Sequence, residues 1–317
     1  MHKKIILLIL SLIFIISCSS PSNPDNGNEG NNGGSTVPPP TGPTEEELIA
    51  KYGIDIGQAD TVISQKIEEN LKAYYAEMGS YRVIFTGTTE NYSGHESLYT
   101  LTLKSAMKVI SNKDIDMDIR NIDFKDGIVP TGMFSGEARE DNYNNIFLNF
   151  IFPENKIKTI EMMSFDQLYN TKEITLPDSV ITIDGYAFQN SQSIEKLNLG
   201  NGLQTIGDQA FMALEFLKEL VIPKSVTSIG MGAFAQTGTA KITISAPIKT
   251  IGMGVFASSI NLTTVTYYGT SPTDINNSDA FLYCDKLTTL IVPNATNPSD
   301  NAWKTFLGGN FTIVKQN

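Results

Sequence analysis

Residues 176–188 (LPDSVITIDGYAF), 199–211 (LGNGLQTIGDQAF) and 222–234 (IPKSVTSIGMGAF) are three copies of one pattern, held in register. Outward from them, phenylalanine recurs at Phe165, Phe188, Phe211, Phe234, Phe256 and Phe281, at separations of 23, 23, 23, 22 and 25. Ile160, Ile183, Ile206, Ile229 and Ile251 each precede a phenylalanine by five residues. Between the phenylalanines lie the pairs Ile174/Leu176, Leu197/Leu199, Leu220/Ile222, Ile242/Ile244, Val265/Tyr267 and Leu290/Val292. Their two-residue alternation predicts one short half-buried strand per unit. A 23-residue unit with a single strand cannot enclose a core, so units must stack and bury their Ile, Phe and Leu columns against one another. The fold class that follows is an α/β repeat: a solenoid with a parallel sheet whose strands lie about 4.8 Å apart.

The repeat is assigned to residues 114–293. A strand at Asp114–Ile119 and the Phe134 segment make a divergent first coil, and an insertion at 136–145 precedes Phe147, where the pattern resumes. Residues 294–317, with Trp303, Phe306 and Phe311, leave the repeat and are expected to cap its end. Residues 45–113 read as a small α/β unit: helices at Glu45–Tyr52 and Thr61–Met78, a strand at 81–87 and a helix at Leu98–Ile110. Thr44 with Glu47 is a capping-box pattern, and Gly79 is placed to stop the second helix.

The repeat segments, with strand, Pro or Gly and then I-G-x-x-A-F, resemble the BspA-like class of bacterial leucine-rich repeats. The resemblance implies a right-handed leucine-rich repeat solenoid. At the family level it also implies a cell-surface protein that binds host matrix proteins, host cells or other bacteria. Val255 in place of Ala, and an expanded loop at 269–279, depart from the pattern and bear on local coil curvature.

The amino terminus agrees with export. Met1-His2-Lys3-Lys4 and the apolar run Ile5–Ile16 make a signal peptide over residues 1–17, too short for the roughly 20-residue span a bilayer needs. Ile15-Ile16-Ser17-Cys18 resembles a bacterial lipobox, which implies lipidation of Cys18 and anchorage in the envelope, expected at the outer membrane and cell surface. Residues 18–44 are built of Pro, Gly, Asn, Ser and Thr around a single apolar side chain, Val37, and read as a tether that buries too little surface to fold.

Composition narrows the chemistry. The formal charge is −11, and falls to −13 when Lys3 and Lys4 leave with the signal peptide, which excludes a general nucleic-acid binder. After cleavage His95 is the one histidine, and Cys284 is the one thiol besides Cys18. No HExxH, P-loop, GxSxG or CxxC is present, so neither an enzyme nor a cofactor is expected. Gly230-Met231-Gly232 and Gly252-Met253-Gly254 are one repeat column rather than phosphate loops. Asp274, Asn276, Ser278 and Asp279 resemble a calcium loop without its glycine and are read as a surface turn. Cys284 is expected to pack, and His95 to sit in an exposed loop. Asp114, Asp116 and Asp118 alternate along one strand face, which could hold a cation but is read as a solvated face.

The remaining candidate is the outward side of the strand ladder. One column is Glu173, Lys196, Glu219, Lys241, Thr264 and Thr289; the other is Thr175, Asn198, Val221, Thr243, Thr266 and Ile291. A broad, shallow surface of this kind suits a protein or glycan better than a small metabolite. The expected function is a lipid-anchored surface protein that binds a macromolecule, with an envelope structural or assembly role as the alternative.

Overall fold

The computed structural model describes residues 42–92, 94–136, 145–245, 248–275 and 279–317. The signal peptide, Cys18, nearly all of the tether and most of the 136–145 insertion lie outside them.

Helix α1 (Glu45–Tyr52) opens with the capping box, Thr44 and Glu47 each receiving the other's backbone N–H. It leads through β1 (Gly53–Asp55) into α2 (Asp60–Met78), closed by Gly79 at φ 72°, and then into β2 (Arg82–Thr88). Ser97 caps α3 (Leu98–Met107), which ends three residues before the expected Ile110 because Lys108 and Val109 turn back to the carbonyls of Ser105 and Ala106. Strand β3 (Asp114–Asp123) runs past the expected Ile119 because its partner β2 continues, Thr88 pairing with Asp123. Strands β4 (Ile128–Val129) and β5 (Phe147–Ile151) follow. β1, β2, β3 and β5 form one parallel sheet in that order, so the helical unit and the first coils share a sheet across residue 113.

The coils of Phe165, Phe188, Phe211, Phe234 and Phe256 each have two strands where the alternation pattern predicts one. The extra strand holds the Ile of the repeat: β6 (Thr159–Ile160), β8 (Thr182–Ile183), β10 (Thr205–Ile206), β12 (Ser228–Ile229) and β14 (Thr250–Ile251) stack with β4 into a six-stranded parallel sheet. Two residues are too few to show alternation, so these strands are invisible to a periodicity reading. The expected strands are β7 (Glu173–Thr175), β9 (Lys196–Asn198), β11 (Leu220–Ile222), β13 (Lys241–Ile244), β15 (Thr264–Tyr267) and β16 (Thr289–Ile291). β17 (Ile313–Lys315) adds one more beside β16. This ladder is interrupted: β7 pairs with β9, and β11, β13, β15, β16 and β17 form a separate five-stranded sheet.

Between the two ladders runs a spine of rings. Phe134, Phe165, Phe188, Phe211 and Phe234 stack near-parallel at 4.9–5.1 Å, and Phe256 and Phe281 continue the column. All are buried. The spacing widens to 6.1 Å between Phe234 and Phe256, the pair separated by 22 residues rather than 23. The glycine columns have a packing cause: a Cβ on Gly207, Gly230 or Gly252 would lie 2.4–2.5 Å from the backbone of the preceding coil. Trp303, Phe306 and Phe311 are buried at the far end, and Tyr267 packs on Trp303 and Phe306.

Candidate ligand-binding face

Burial alternates along the outward strands, and that places the candidate columns. Ile174, Leu220, Ile242, Val265 and Leu290 are buried, and the twelve flanking candidates point away from the core. Register sets them side by side, Glu173 beside Lys196, Thr175 beside Asn198, Lys241 beside Thr264, Thr243 beside Thr266 and Thr266 beside Ile291. Val221 faces Thr243 across β11 and β13. Glu219, one residue before β11, falls outside the hydrogen-bonded register. The columns are therefore not one uninterrupted grid, because no strand pairing joins β9 to β11.

The face has two chemical halves. From Lys172 to Lys241 it is charged and internally paired: Lys196 meets Glu173 at 3.2 Å, Lys218 meets Glu195, and Lys172 sits 3.9 Å over the Phe147 ring. The hydrogen bond from Lys218 holds the Glu195 pKa below the usual carboxylate value. Beyond Lys241 the outward residues are Thr243, Thr264, Thr266, Thr289, Ile291 and Ile313, without a charge until Lys315. The side-chain hydroxyls of Thr243 and Thr266 make no hydrogen bond within the described residues and keep a donor and acceptor for a ligand. Sequence reading missed Ile313 and Lys315, which β17 brings beside Thr289 and Ile291. The signal was the alternation in Thr312-Ile313-Val314-Lys315, hidden by the long stretch since Leu290.

Other candidates resolve differently. The face of β3 is not uniformly solvated: Asp118 is fully buried, hydrogen-bonded by Arg82 and by Arg120 at 2.9 Å. Glu45 of α1 reaches both arginines, at 2.7 Å for Arg120. Asp114 is exposed and Asp116 half-buried, so the strand does not present three equivalent carboxylates. Among the described residues no group of acidic, His or Cys side chains is arranged to hold a metal ion. His95 is also not exposed. Its side chain is 15% accessible, bonded through Nδ1 to Asp60 at 2.7 Å and stacked on Tyr92, because Asp60 also accepts the Glu96 N–H and ties this turn to α2. Asp274 closes a turn by accepting the N–H groups of Thr270 and Ser271, while Asn276 and Ser278 lie outside the described residues. Cys284 is partly buried, its thiol 3.1 Å from the Phe256 carbonyl, and burial pushes its pKa up. No described helix is long and apolar enough to cross a membrane.

The model of the BspA type Leucine rich repeat region matches in six copies over residues 139–263 and 183–306, more than half of the chain. The chain belongs to this family. Among solved structures it is similar to a leucine-rich repeat protein from Bacteroides ovatus, at 27% identity over 44% of this chain and 36% of that one, with a TM-score of 0.39. It thus spans little more than a third of that relative's length. A Treponema pallidum leucine-rich repeat protein is 24% identical over 55% of this chain and 77% of its own, with a TM-score of 0.43. No curated protein matches the chain. A BspA-type leucine-rich repeat fold is typically a binding scaffold.

Proposed function

We propose that this is a lipid-anchored bacterial cell-surface protein whose outward ladder binds a macromolecule in adhesion to host matrix, host cells or other bacteria. The observation that supports the reading is the ladder itself: strands laid side by side, with the hydroxyls of Thr243 and Thr266 without a partner among the described residues. A face of this breadth offers no enclosed site for a metabolite and suits an extended protein or glycan. Lipidation of Cys18, followed by the tether to residue 44, supplies the anchor in this reading.

The test uses the full chain in detergent against a panel of matrix proteins and glycans, beside a variant carrying Lys196→Glu, Val221→Asp and Thr243→Glu. Binding that the variant loses while keeping its melting temperature supports the reading. A well-folded chain that binds nothing moves the function to an envelope structural role. Cys18→Ala is expected to release the protein from the membrane fraction and to abolish acyl labelling; continued labelling would remove the anchor.

A further inference from the structure

The three most exposed large apolar side chains among the described residues are Tyr283 at 76%, Ile260 at 65% and Phe216 at 61%. They do not lie on the ladder face. Each sits in the edge loop of its coil, between the spine phenylalanine and the outward strand: two residues after Phe281, four after Phe256 and five after Phe211. Apolar side chains gathered on one edge mark a contact surface more specifically than the same residues scattered singly.

The coil between Phe216 and Ile260 is built differently. Eight residues take Phe234 to Ile242, where nine take Phe211 to Leu220 and Phe256 to Val265, so its edge loop is one residue short. The loop hugs its neighbour at Gly238, whose N–H bonds the Leu214 carbonyl at 3.0 Å. A Cβ there would stand 1.8 Å from the Glu215 carbonyl oxygen, so position 238 has no side chain with which to fill the gap. The result is a notch of about 350 Å³, with Ile260 on one wall and Gln236, Ser258 and Asn261 offering neutral hydroxyl and amide groups, while the buried Thr237 hydroxyl is taken up by Ser259 at 3.1 Å.

Size and charge define what fits. The volume is at the lower limit of ligand pockets and accepts one apolar side chain rather than a cofactor. The polar lining can pair with the backbone on either side of such a side chain. Glu215 and Asp285 are exposed on the same edge with no cation within ion-pair distance among the described residues, and the neighbouring base, Lys286, approaches Asn261 at 3.5 Å. An acidic rim beside a notch with one apolar wall, on a chain of formal charge −11, complements a basic partner segment.

We propose that this edge is a peptide-docking surface, in which the notch at Gly238 receives one apolar side chain of a partner protein and Glu215 and Asp285 meet basic residues beside it. The surface is distinct from the ladder face and stands or falls separately.

The experiment titrates the full chain in detergent with synthetic peptides carrying one central Leu flanked by Lys, by Glu or by Ser, and with Lys-flanked controls in which Ser replaces the Leu. Laminarin serves as a neutral glycan probe. The Lys-flanked Leu peptide is expected to bind at least about tenfold more tightly than every control, in the range that buried anchors command. Ile260→Asp is expected to abolish that preference without moving the melting temperature, since the side chain is solvent-exposed. Glu215→Lys combined with Asp285→Lys is expected to transfer preference to the Glu-flanked peptide. Absence of peptide binding, indifference to the Leu, wild-type affinity in Ile260→Asp, or laminarin binding that Ile260→Asp removes would each overturn the proposal. Loss of matrix binding in the ladder variant is unaffected by any of these results.

Discussion

The sheet of β1, β2, β3 and β5 and the coils that follow it are held together by opposite means. In the sheet, a single closed network joins Asp118, Arg82, Arg120 and Glu45, and pins α1 to two strands. In the coils, ring stacks on ring from Phe134 to Phe281, and no buried ion pair is found among the described residues. A network of one has no spare member, whereas a column tolerates a fault that only its neighbours feel. The two regions should therefore fail differently.

Removing Asp118 is the harshest way to test this. Asp118→Ala leaves Arg82 largely buried with Glu45 as its one remaining anionic partner, and breaking a buried pair costs about 3–5 kcal/mol. Hydrogen exchange is expected to rise throughout α1, β2 and β3 while the central coils stay protected. Equal loss of protection in the coils would show that the two regions are one cooperative unit. Phe211→Ala is the converse change. It opens a cavity between Phe188 and Phe234, which lie 5.0 and 5.1 Å away, and large-to-small aromatic changes cost about 3–5 kcal/mol in a core, at the lower end where flanking coils can close in. Its exchange signature should be confined to the flanking coils.

Acid should separate the same regions with opposite signs. Burial alone would raise the Asp118 pKa, but hydrogen bonds from Arg120 and Arg82 outweigh it and hold the carboxyl below its ordinary value of 3.8. Its contribution is fully present above the unfolded pKa and is lost as pH falls through the depressed folded one. Burial raises the pKa of Asp166, and burial with the nearby Glu161 raises that of Asp184. For these two the folded state binds the proton more readily, so the coils around them gain stability as pH falls through the raised values. Asp166 has one buried oxygen without a partner, in keeping with that preference. Exchange rates corrected for intrinsic chemistry are expected to show the sheet opening at a pH where the coils have tightened. Asp166→Asn should weaken the response of the coils, leaving the part due to Asp184, and leave that of the sheet intact.

The same contrast explains what was legible in the sequence. Repetition makes a column readable: Phe188, Phe211 and Phe234 announce their burial by recurring at equal spacing, and the outward positions follow from alternation. Asp118 recurs nowhere, and its alternation with Ile115 and Met117 resembles a solvated face because, besides the nearby Arg120, the buried arginine that matches it is 36 residues earlier, on β2. His95 was misread for the same reason, its partner Asp60 being 35 residues away on α2. The notch at Gly238 was visible only as a separation of 22, whose meaning depends on where in the coil the residue is missing.

The smallest expected effect concerns the backbone that lets the coils repeat at all. Two residues before each spine phenylalanine the chain enters the left-handed region, at Gly132, Met163, Tyr186, Gln209, Gly232, Gly254 and Asp279, with φ between 47° and 71°. Non-glycine residues lose about 1–2 kcal/mol there, and glycine gives back about 0.5–1 kcal/mol through the greater freedom of its unfolded chain. At Met163, which is exposed, Met163→Gly should therefore gain about 0.5–1 kcal/mol net. Gly232→Ala should lose a similar amount, because the added Cβ finds room, its nearest neighbour being Gln209 Cγ at 3.4 Å. Denaturant midpoints of the two variants should move in opposite directions. Movement in the same direction would mean that side-chain contacts, and not the left-handed turn, set the energy of this column, and that the coils are less alike than their spacing implies.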